Sequence, residues 1–223
     1  TDSREHELYI DLITKVNDIS VTYRTSGEII FKDNTKLELE DDFSWNGRYY
    51  VYGYGKFQGS RTQLESAITL AYDTYGTVVD SNSKLVWKRY RSTQASIDGI
   101  VPVTSGDSIV NAVVAVSNYL GADFNAVSYM EQGHTAVETF DNIRGVHGIS
   151  LTGITYEKAL SYVGDGSPVI ARIGEDEYII ITAYNSSEIA YIEASTGAQK
   201  TASMNEAGKM FSQGGNIYVT YYK

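Results

Sequence analysis

Cysteine is missing from this chain of 223 residues, proline occurs only twice, and no long uninterrupted apolar run is present. Without cysteine the chain can form neither disulfides nor thiolate metal sites, and no thiol can act as a nucleophile. Because no stretch of about 18 apolar residues occurs, the sequence predicts no membrane insertion. The chain starts at Thr1 rather than at Met, which fits the removal of a targeting segment.

Basic residues are also scarce. Lys and Arg total 18 against 28 Asp and Glu, which gives a net charge of −10. Nucleic acids and anionic lipids attract basic surfaces, so this balance argues against both as partners. The three histidines, His6, His134 and His147, are scattered and have no metal-ligand spacing. We therefore expect no metal and no cofactor.

Apolar residues and tyrosine are abundant. Apolar side chains make up 42% of the chain, which is enough for one large domain or two small ones, and tyrosine occurs 19 times. Many tyrosines with few Lys and Arg are common in extracellular bacterial modules. We expect a secreted bacterial protein in which this sequence is part of a larger chain.

The first 91 residues are predicted to form an N-terminal domain of short strands and one helix. Tyrosines alternate along Tyr49–Tyr54, and Thr62-Gln-Leu-Glu65 has the pattern of a capping box at a helix start. The composition of residues 80–83 is typical of a hairpin turn. After a strand-rich segment, the spacing therefore predicts a ββαββ module over residues 48–91.

Residues 92–223 are predicted to form a second domain with helices first and antiparallel strands afterwards. Thr135-Ala-Val-Glu138 and Ser203-Met-Asn-Glu206 have the capping-box pattern, and a further helix is expected after Thr155. His134 and His147 fall in predicted loops. This order of elements predicts an α+β fold.

Two motifs in the second domain carry a family resemblance. The first is the apolar helix that follows Gly-Asp-Ser108 and ends in Asn-Tyr-Leu-Gly121. The second is Ser167-Pro-Val-Ile-Ala-Arg-Ile-Gly-Glu-Asp-Glu-Tyr-Ile-Ile-Ile-Thr-Ala-Tyr184, followed by Ile-Ala-Tyr-Ile-Glu193-Ala-Ser-Thr-Gly197. These segments resemble the nucleophile helix and the strands of bacteriocin-processing-peptidase-like modules within the papain-like cysteine peptidases. The resemblance covers roughly residues 76–222.

The resemblance implies a papain-like two-lobed domain with a helical half and an antiparallel-sheet half. The preceding module is similar to one found in secreted clostridial proteins, some of them associated with cellulosomes. Position by position, the resemblance places Ser108 where the family has its nucleophilic Cys, or Asp107 if the register slips by one residue. It places Glu177 at the general base and Glu193 at the orienting residue, and the oxyanion-hole Gln has no counterpart in residues 101–106.

Catalysis by these residues is not expected. A serine hydroxyl needs a base that works near pH 7, and an ordinary glutamate, with a pKa of about 4.3, is too weak. The structural role that suits Ser108 is that of a helix N-cap. The predicted helix should bury Ile109, Ala112, Val113 and Val116, and the strand from Tyr178 should pass its N-terminus.

Three functions remain open. The first is a catalytically inactive module that binds a peptide or protein segment, including its own N-terminal residues, in the vestigial cleft, with residues 175–177 as an acidic rim. The second is a weak Ser-dependent hydrolase acting at the same cleft. The third is a carbohydrate-binding module whose polysaccharide platform uses aromatic residues, although packing within a small sheet also explains their alternation. Those aromatic residues are Tyr50, Tyr52, Tyr54, Trp45 and Trp87.

Overall fold

The computed structural model describes residues 21–25, 28–31, 36–38, 48–89 and 93–223. This part of the chain forms two compact units, one ending at Val86 and one spanning Trp87–Lys223. The first three strands form an antiparallel sheet in chain order; they are β1 (Val21–Thr25), β2 (Glu28–Phe31) and β3 (Lys36–Glu38). None of the helices in the described residues has both the length and the apolar character needed to cross a bilayer.

A ββαββ arrangement follows, in the element order that the sequence predicts. Its elements are β4 (Tyr49–Gly53), β5 (Lys56–Arg61), α1 (Leu64–Asp73), β6 (Thr77–Val79) and β7 (Leu85–Lys88). The four strands form one sheet in the order β5-β4-β6-β7. Helix α1 buries an apolar stripe at helical spacing, consisting of Leu64, Ala67, Ile68 and Ala71.

The capping box predicted at Thr62 is wrong. Helix α1 begins at Leu64, and its N-cap residue is Gln63, whose side chain makes no capping hydrogen bond. Thr62 therefore lies one residue before the position from which a hydroxyl can accept from the third helical amide.

The boxes predicted for the C-terminal unit do form. The N–H groups of Glu138 and Glu206 donate to the hydroxyls of Thr135 and Ser203, and each carboxylate accepts from the N–H of its capping residue.

The C-terminal unit combines six further strands in one main sheet, a short strand and five helices. In chain order they are β8 (Ala95–Ser96), α2 (Ser108–Tyr119), α3 (Ala126–Glu131), α4 (Ala136–Asp141), β9 (His147–Thr152), α5 (Tyr156–Gly164), β10 (Val169–Arg172), β11 (Tyr178–Tyr184), β12 (Glu188–Glu193), β13 (Gln199–Ser203), α6 (Met204–Gln213) and β14 (Ile217–Tyr222). The sheet is antiparallel in the order β13-β12-β11-β10-β14-β9, and β8 pairs with the end of β11. The mixture of helices and antiparallel sheet is the α+β class predicted from the sequence.

Strand β9 departs from the predicted order of helices before strands, because it lies between α4 and α5. His147, expected in a loop, is the first residue of β9 and pairs with Tyr222 of β14, on which its ring stacks at 5.0 Å between centroids. The partner strand of β9 lies more than 60 residues later in the chain, so the local sequence carries little of the signal for this pairing.

Helix α2 lies at the centre of the C-terminal unit. It packs on α3, α4 and β11, and every residue from Asn111 to Ser117 is buried. Ala112, Val113 and Val116 face the core, as predicted. Ile109 is only half-buried, so the prediction for this residue is wrong. Because α2 is buried on nearly all sides, packing fixes the position of the helix and of the residues in its first turn, including Ser108.

A substitution at Gly214 would test how tightly this unit is packed. A Cβ atom at Gly214 would lie 1.9 Å from the carbonyl oxygen of Arg172, a backbone atom that cannot move aside cheaply. We expect Gly214→Ala to lower the free energy of unfolding by about 3 kcal/mol, measured by urea denaturation. Gly106→Ala is the matched control, because its new methyl group would meet side-chain atoms only at 3.5 Å or more. Equal stability of the two variants would contradict this account of the packing.

Candidate functional site

The side chain of Ser108 joins the start of α2 to the start of β11. The Tyr178 N–H donates to the Ser108 hydroxyl oxygen at 2.9 Å, and the hydroxyl donates to the Tyr178 carbonyl at 3.3 Å. Ser108 is only 9% exposed. Both hydrogen-bonding capacities of the hydroxyl are thus used by the backbone of one residue.

Ser108 is therefore not the N-cap that the sequence suggested. The N-cap is Asp107, whose side chain makes no capping hydrogen bond, and Ser108 is the first helical residue. The hydroxyl bridges to a strand 70 residues away instead of capping its own helix. Asp107 itself is exposed, while Ser108 is buried at the contact with β11.

Asn111, one turn further along α2, completes the junction and was missed in the sequence. Its amide nitrogen donates to the Gly106 and Ala194 carbonyls at 2.7 and 3.0 Å, and its amide oxygen accepts from the Gly106 N–H at 2.8 Å. The side chain is 1% exposed. A polar amide among the apolar residues of a predicted core helix was the available signal, since a buried amide needs partners.

Glu193, at the end of β12, reaches the same junction through its neighbour. The Ala194 N–H donates to the Tyr178 carbonyl at 3.1 Å, the group that also accepts from Ser108. The Glu193 carboxylate accepts from Lys200 and from the Thr196 hydroxyl. The hydrogen bond from Lys200, followed by that from Thr196, lowers the pKa of Glu193, and the same carboxylate raises the pKa of Lys200.

Glu177 directly precedes Tyr178 and is exposed in the turn between β10 and β11. Its carbonyl accepts from the Ile173 N–H at 2.9 Å. Its side chain lies along Gly174, since a Cβ atom built there would be 3.4 Å from the Glu177 Cβ and 3.5 Å from a carboxylate oxygen. Glu175 and Asp176 beside it are exposed as well, so this turn presents three acidic side chains to solvent.

The three positions singled out by sequence adjoin Tyr178 through the backbone, but the side chain of Glu177 lies along Gly174 and that of Glu193 bonds to Thr196 and Lys200. Ser108 bonds to Tyr178 itself, Glu177 precedes Tyr178, and Glu193 precedes the residue whose N–H bonds to Tyr178. Within the part of the chain that the structure describes, the hydrogen bonds of the Ser108 hydroxyl go to the Tyr178 backbone, and neither reaches a side chain that could accept its proton as a base. The arrangement holds the start of the helix on the sheet.

The histidines are engaged elsewhere. His134 stacks on Tyr129 with ring centroids 3.8 Å apart and lies 4.0 Å from a Glu138 oxygen. His147 stacks on Tyr222, and His6 lies outside the described residues. Across the residues that the structure describes, no group of three or more His, Asp or Glu side chains is arranged to hold a metal ion.

A cavity of about 500 Å³ lies along one face of the sheet. Its wall is the connector that follows β8, and its floor comes from β11, β12 and β13. A second cavity of about 500 Å³ shares Ser96, Ala183 and Ala190 with it, so the two adjoin. We call this pair the sheet groove; the first cavity is lined by Ser96, Ile97, Asp98, Gly99, Ile100, Thr182, Ala183, Ala190, Tyr191, Ile192, Gln199, Lys200 and Thr201.

The sheet groove is not where the sequence led us to place the cleft. Neither Ser108 nor the acidic turn of residues 175–177 lines it, and Glu193 touches it only through Lys200. The connector that forms its wall continues to Pro102, which packs against Gly197, and then enters α2. The position of this wall depends on how a loop lies across the sheet, which no sequence pattern displays.

The tyrosine ladder does not form the flat platform that the carbohydrate hypothesis requires. Tyr50 and Trp87 are each 2% exposed, and the ring of Tyr52 packs against Phe57 at 5.6 Å. Tyr54 lies beyond the end of β4 in a turn with φ of 51°, and Trp45 lies outside the described residues. Alternation along this strand therefore reflects packing, the other explanation considered for it.

Comparisons with known proteins give one structural likeness. No family model and no curated protein matches the chain. Among solved structures, a crystal structure from Bacillus anthracis described as a "putative C39-like peptidase" matches with a TM-score of 0.49 and 10% identity. The match covers 59% of this chain and 98% of that chain. Identity at this level does not transfer an activity.

The Glu193 and Lys200 pair makes stability depend on pH. Because the folded pKa of Glu193 is lowered, its contribution is complete above the ordinary carboxyl pKa and is lost as the pH falls through the folded value. We expect Glu193→Gln to cost less than about 1 kcal/mol at pH 7, since the pair is partly exposed, and to cost less at pH 3 than at pH 7. Urea unfolding at both pH values measures the difference. Lys200→Gln should reproduce the loss at pH 7, and a deficit of Glu193→Gln that persists undiminished at pH 3 would contradict the assignment.

Proposed function

We propose that the C-terminal unit is a peptidase-like module that keeps a papain-like, two-lobed arrangement of helix and sheet without its chemistry. It binds an extended peptide or protein segment as part of a secreted multimodular bacterial protein. The family resemblance of the sequence motifs supports the arrangement. So do the hydrogen bonds from Ser108 to Tyr178, because the resemblance likewise places the start of this helix beside the strand that follows Glu177.

The proposal rests on the hydrogen bonds of the Ser108 hydroxyl, which is engaged both as a donor and as an acceptor. A nucleophilic serine must pass its proton to a base while its oxygen approaches a substrate carbon. Here the proton is donated to a backbone carbonyl, which is not a base, and the oxygen accepts from a backbone N–H. Turning the hydroxyl towards a substrate would leave that N–H without its acceptor, at a cost of about 1–3 kcal/mol.

A fold without a catalytic nucleophile can still bind a ligand. The sheet groove has the volume of a ligand site, and its floor includes the small side chains of Ala183 and Ala190, which leave room above the sheet. Its lining also offers hydroxyls from Ser96, Thr182 and Thr201 as hydrogen-bonding groups. A peptide in such a groove is held by its backbone and by side-chain contacts, and neither requires a nucleophile.

The test is hydrolysis measured together with stability. The full chain should not cleave casein or a library of short quenched-fluorescence peptides, and a serine-directed probe should not label it. Ser108→Ala should lower the free energy of unfolding by about 1–2 kcal/mol, because the Tyr178 N–H loses its acceptor, and should leave the absence of turnover unchanged.

Two variants complete the experiment. Ser105→Ala removes an exposed hydroxyl three residues before Ser108 and should leave stability unchanged. Ser108→Cys should not gain turnover, because a thiol at this position would still lack an imidazole partner. Cleavage by the wild type that Ser108→Ala abolishes and Ser105→Ala preserves would overturn the proposal in favour of the Ser-dependent hydrolase.

A further inference from the structure

Strand β13 forms one end of the seven-stranded sheet. Within the part of the chain that the structure describes, it pairs with β12 alone. Its residues Gln199, Lys200, Thr201 and Ser203 are exposed. Because the edge of a sheet carries backbone groups without ladder partners, it can accept another strand.

The pattern of hydrogen bonds between β12 and β13 shows which residues of β13 direct their backbone N–H and C=O groups away from β12. The Glu193 N–H donates to the Ala198 carbonyl, and the Met204 N–H donates to the Ser187 carbonyl. In an antiparallel pair these bonded positions recur at every second residue, so Lys200 and Ala202 also face β12. The N–H and C=O groups of Gln199 and Thr201 therefore point away from β12, and no described residue bonds to them.

The opposite edge of the sheet is protected. The N–H of Gly148 in β9 donates to the Asp141 carboxylate at 2.8 Å. A Cβ atom at Gly148 would lie 2.4 Å from the Val137 carbonyl oxygen, so the backbone of α4 lies directly against this strand. Covering an edge with a helix is a common protection against strand addition, so of the two ends of the main sheet β13 is the one that the described residues leave open.

The outward residues of β13 also border the sheet groove. Thr201 lies opposite Ala190 and Gln199 lies opposite Ile192, and all four residues line the groove. Residues directly opposite each other in neighbouring strands share a face of the sheet. In a strand added beside β13, the residues opposite Gln199 and Thr201 would therefore direct their side chains to the face that carries Ala190 and Ile192 of the groove floor.

The charges around the groove indicate which kind of side chain an added strand would place there most favourably. Lys200, the basic residue of the groove lining, is paired with Glu193, so its charge is compensated. Asp98 is exposed in the groove wall, and its carboxylate accepts only a long 3.4 Å hydrogen bond from the Ser96 hydroxyl. Glu188 lines the adjoining cavity. The uncompensated charge is negative, which favours a basic side chain.

We infer that β13 receives an extended peptide by antiparallel strand addition at Gln199 and Thr201, with a Lys or Arg side chain directed into the sheet groove towards Asp98. This inference rests on the peptide binding proposed above and assigns its place and its chemistry. Main-chain hydrogen bonds supply most of the affinity, and the contact with Asp98 supplies preference for the basic residue.

The experiment uses the full chain and fluorescence anisotropy. The probe is a fluorescein-labelled seven-residue peptide of alternating Val and Thr with a central Lys. One companion peptide carries Glu at the centre, and another carries N-methyl groups on alternate amides, which removes its strand hydrogen bonds. The Lys peptide should bind at least about tenfold more tightly than the N-methylated peptide, because strand pairing is lost in the latter.

Three variants locate the site. Thr201→Pro removes an outward N–H that β12 does not use, and proline is tolerated at such edge positions. It should weaken binding about tenfold, and more than Thr201→Ser, which keeps both the N–H and the hydroxyl. Asp98→Asn should reduce the preference for the Lys peptide over the Glu peptide and leave backbone-dependent binding in place.

The outcomes separate the inference from the proposed function. If the Lys peptide binds but neither N-methylation nor Thr201→Pro weakens it, strand addition at β13 is wrong while peptide binding stands. If Thr201→Pro unfolds the protein, the comparison of N-methylated and unmodified peptides decides alone. If neither these peptides nor an unbiased peptide array shows binding, the inference and the proposed function both fail.

Discussion

The first turn of α2 is tied to the sheet by two buried side chains, and the arrangement of the C-terminal unit depends on this junction. Ser108 bonds to both backbone groups of Tyr178, and Asn111 links Gly106 to Ala194. The junction thereby joins the connector, the central helix, β11 and the turn after β12. Removing either side chain would leave backbone groups unsatisfied in the interior, which costs more than the bond itself contributes.

The same junction gives the Ser108 hydroxyl a structural role. A hydroxyl at the start of a buried helix is well placed for attack, but here it serves as a bridge between the helix and the strand. The connector, held at its end by Asn111 and packed on Gly197 through Pro102, then forms the wall of the sheet groove. The structural role of Ser108 and the open space beside β13 therefore occur together in the same unit.

Local patterns predicted the features that depend on near neighbours. The boxes at Thr135 and Ser203, the buried stripe of α1 and the ββαββ order all arise from residues a few positions apart. The Thr62 box failed because a shift of one residue in the helix start removes the contact. The strand from Tyr178 passes the start of α2, as the resemblance implied, but the hydrogen bonds of Ser108 and Asn111 could not be predicted, since their partners lie 70 and 83 residues away. The sheet groove depends on a connector crossing strands, which has no periodicity to detect.

Amide hydrogen exchange at Tyr178 tests the central role of the junction most directly. If the Ser108 hydroxyl holds the first turn of α2 on β11, the Tyr178 N–H opens only when the C-terminal unit unfolds, and its protection equals that of the most protected amides of β11. Ser108→Ala should then lower the protection of Tyr178 more than that of Ile180 in the same strand. A Tyr178 amide that exchanges as fast in the wild type as the exposed amides of residues 175–177 would show that the junction does not hold the helix to the sheet.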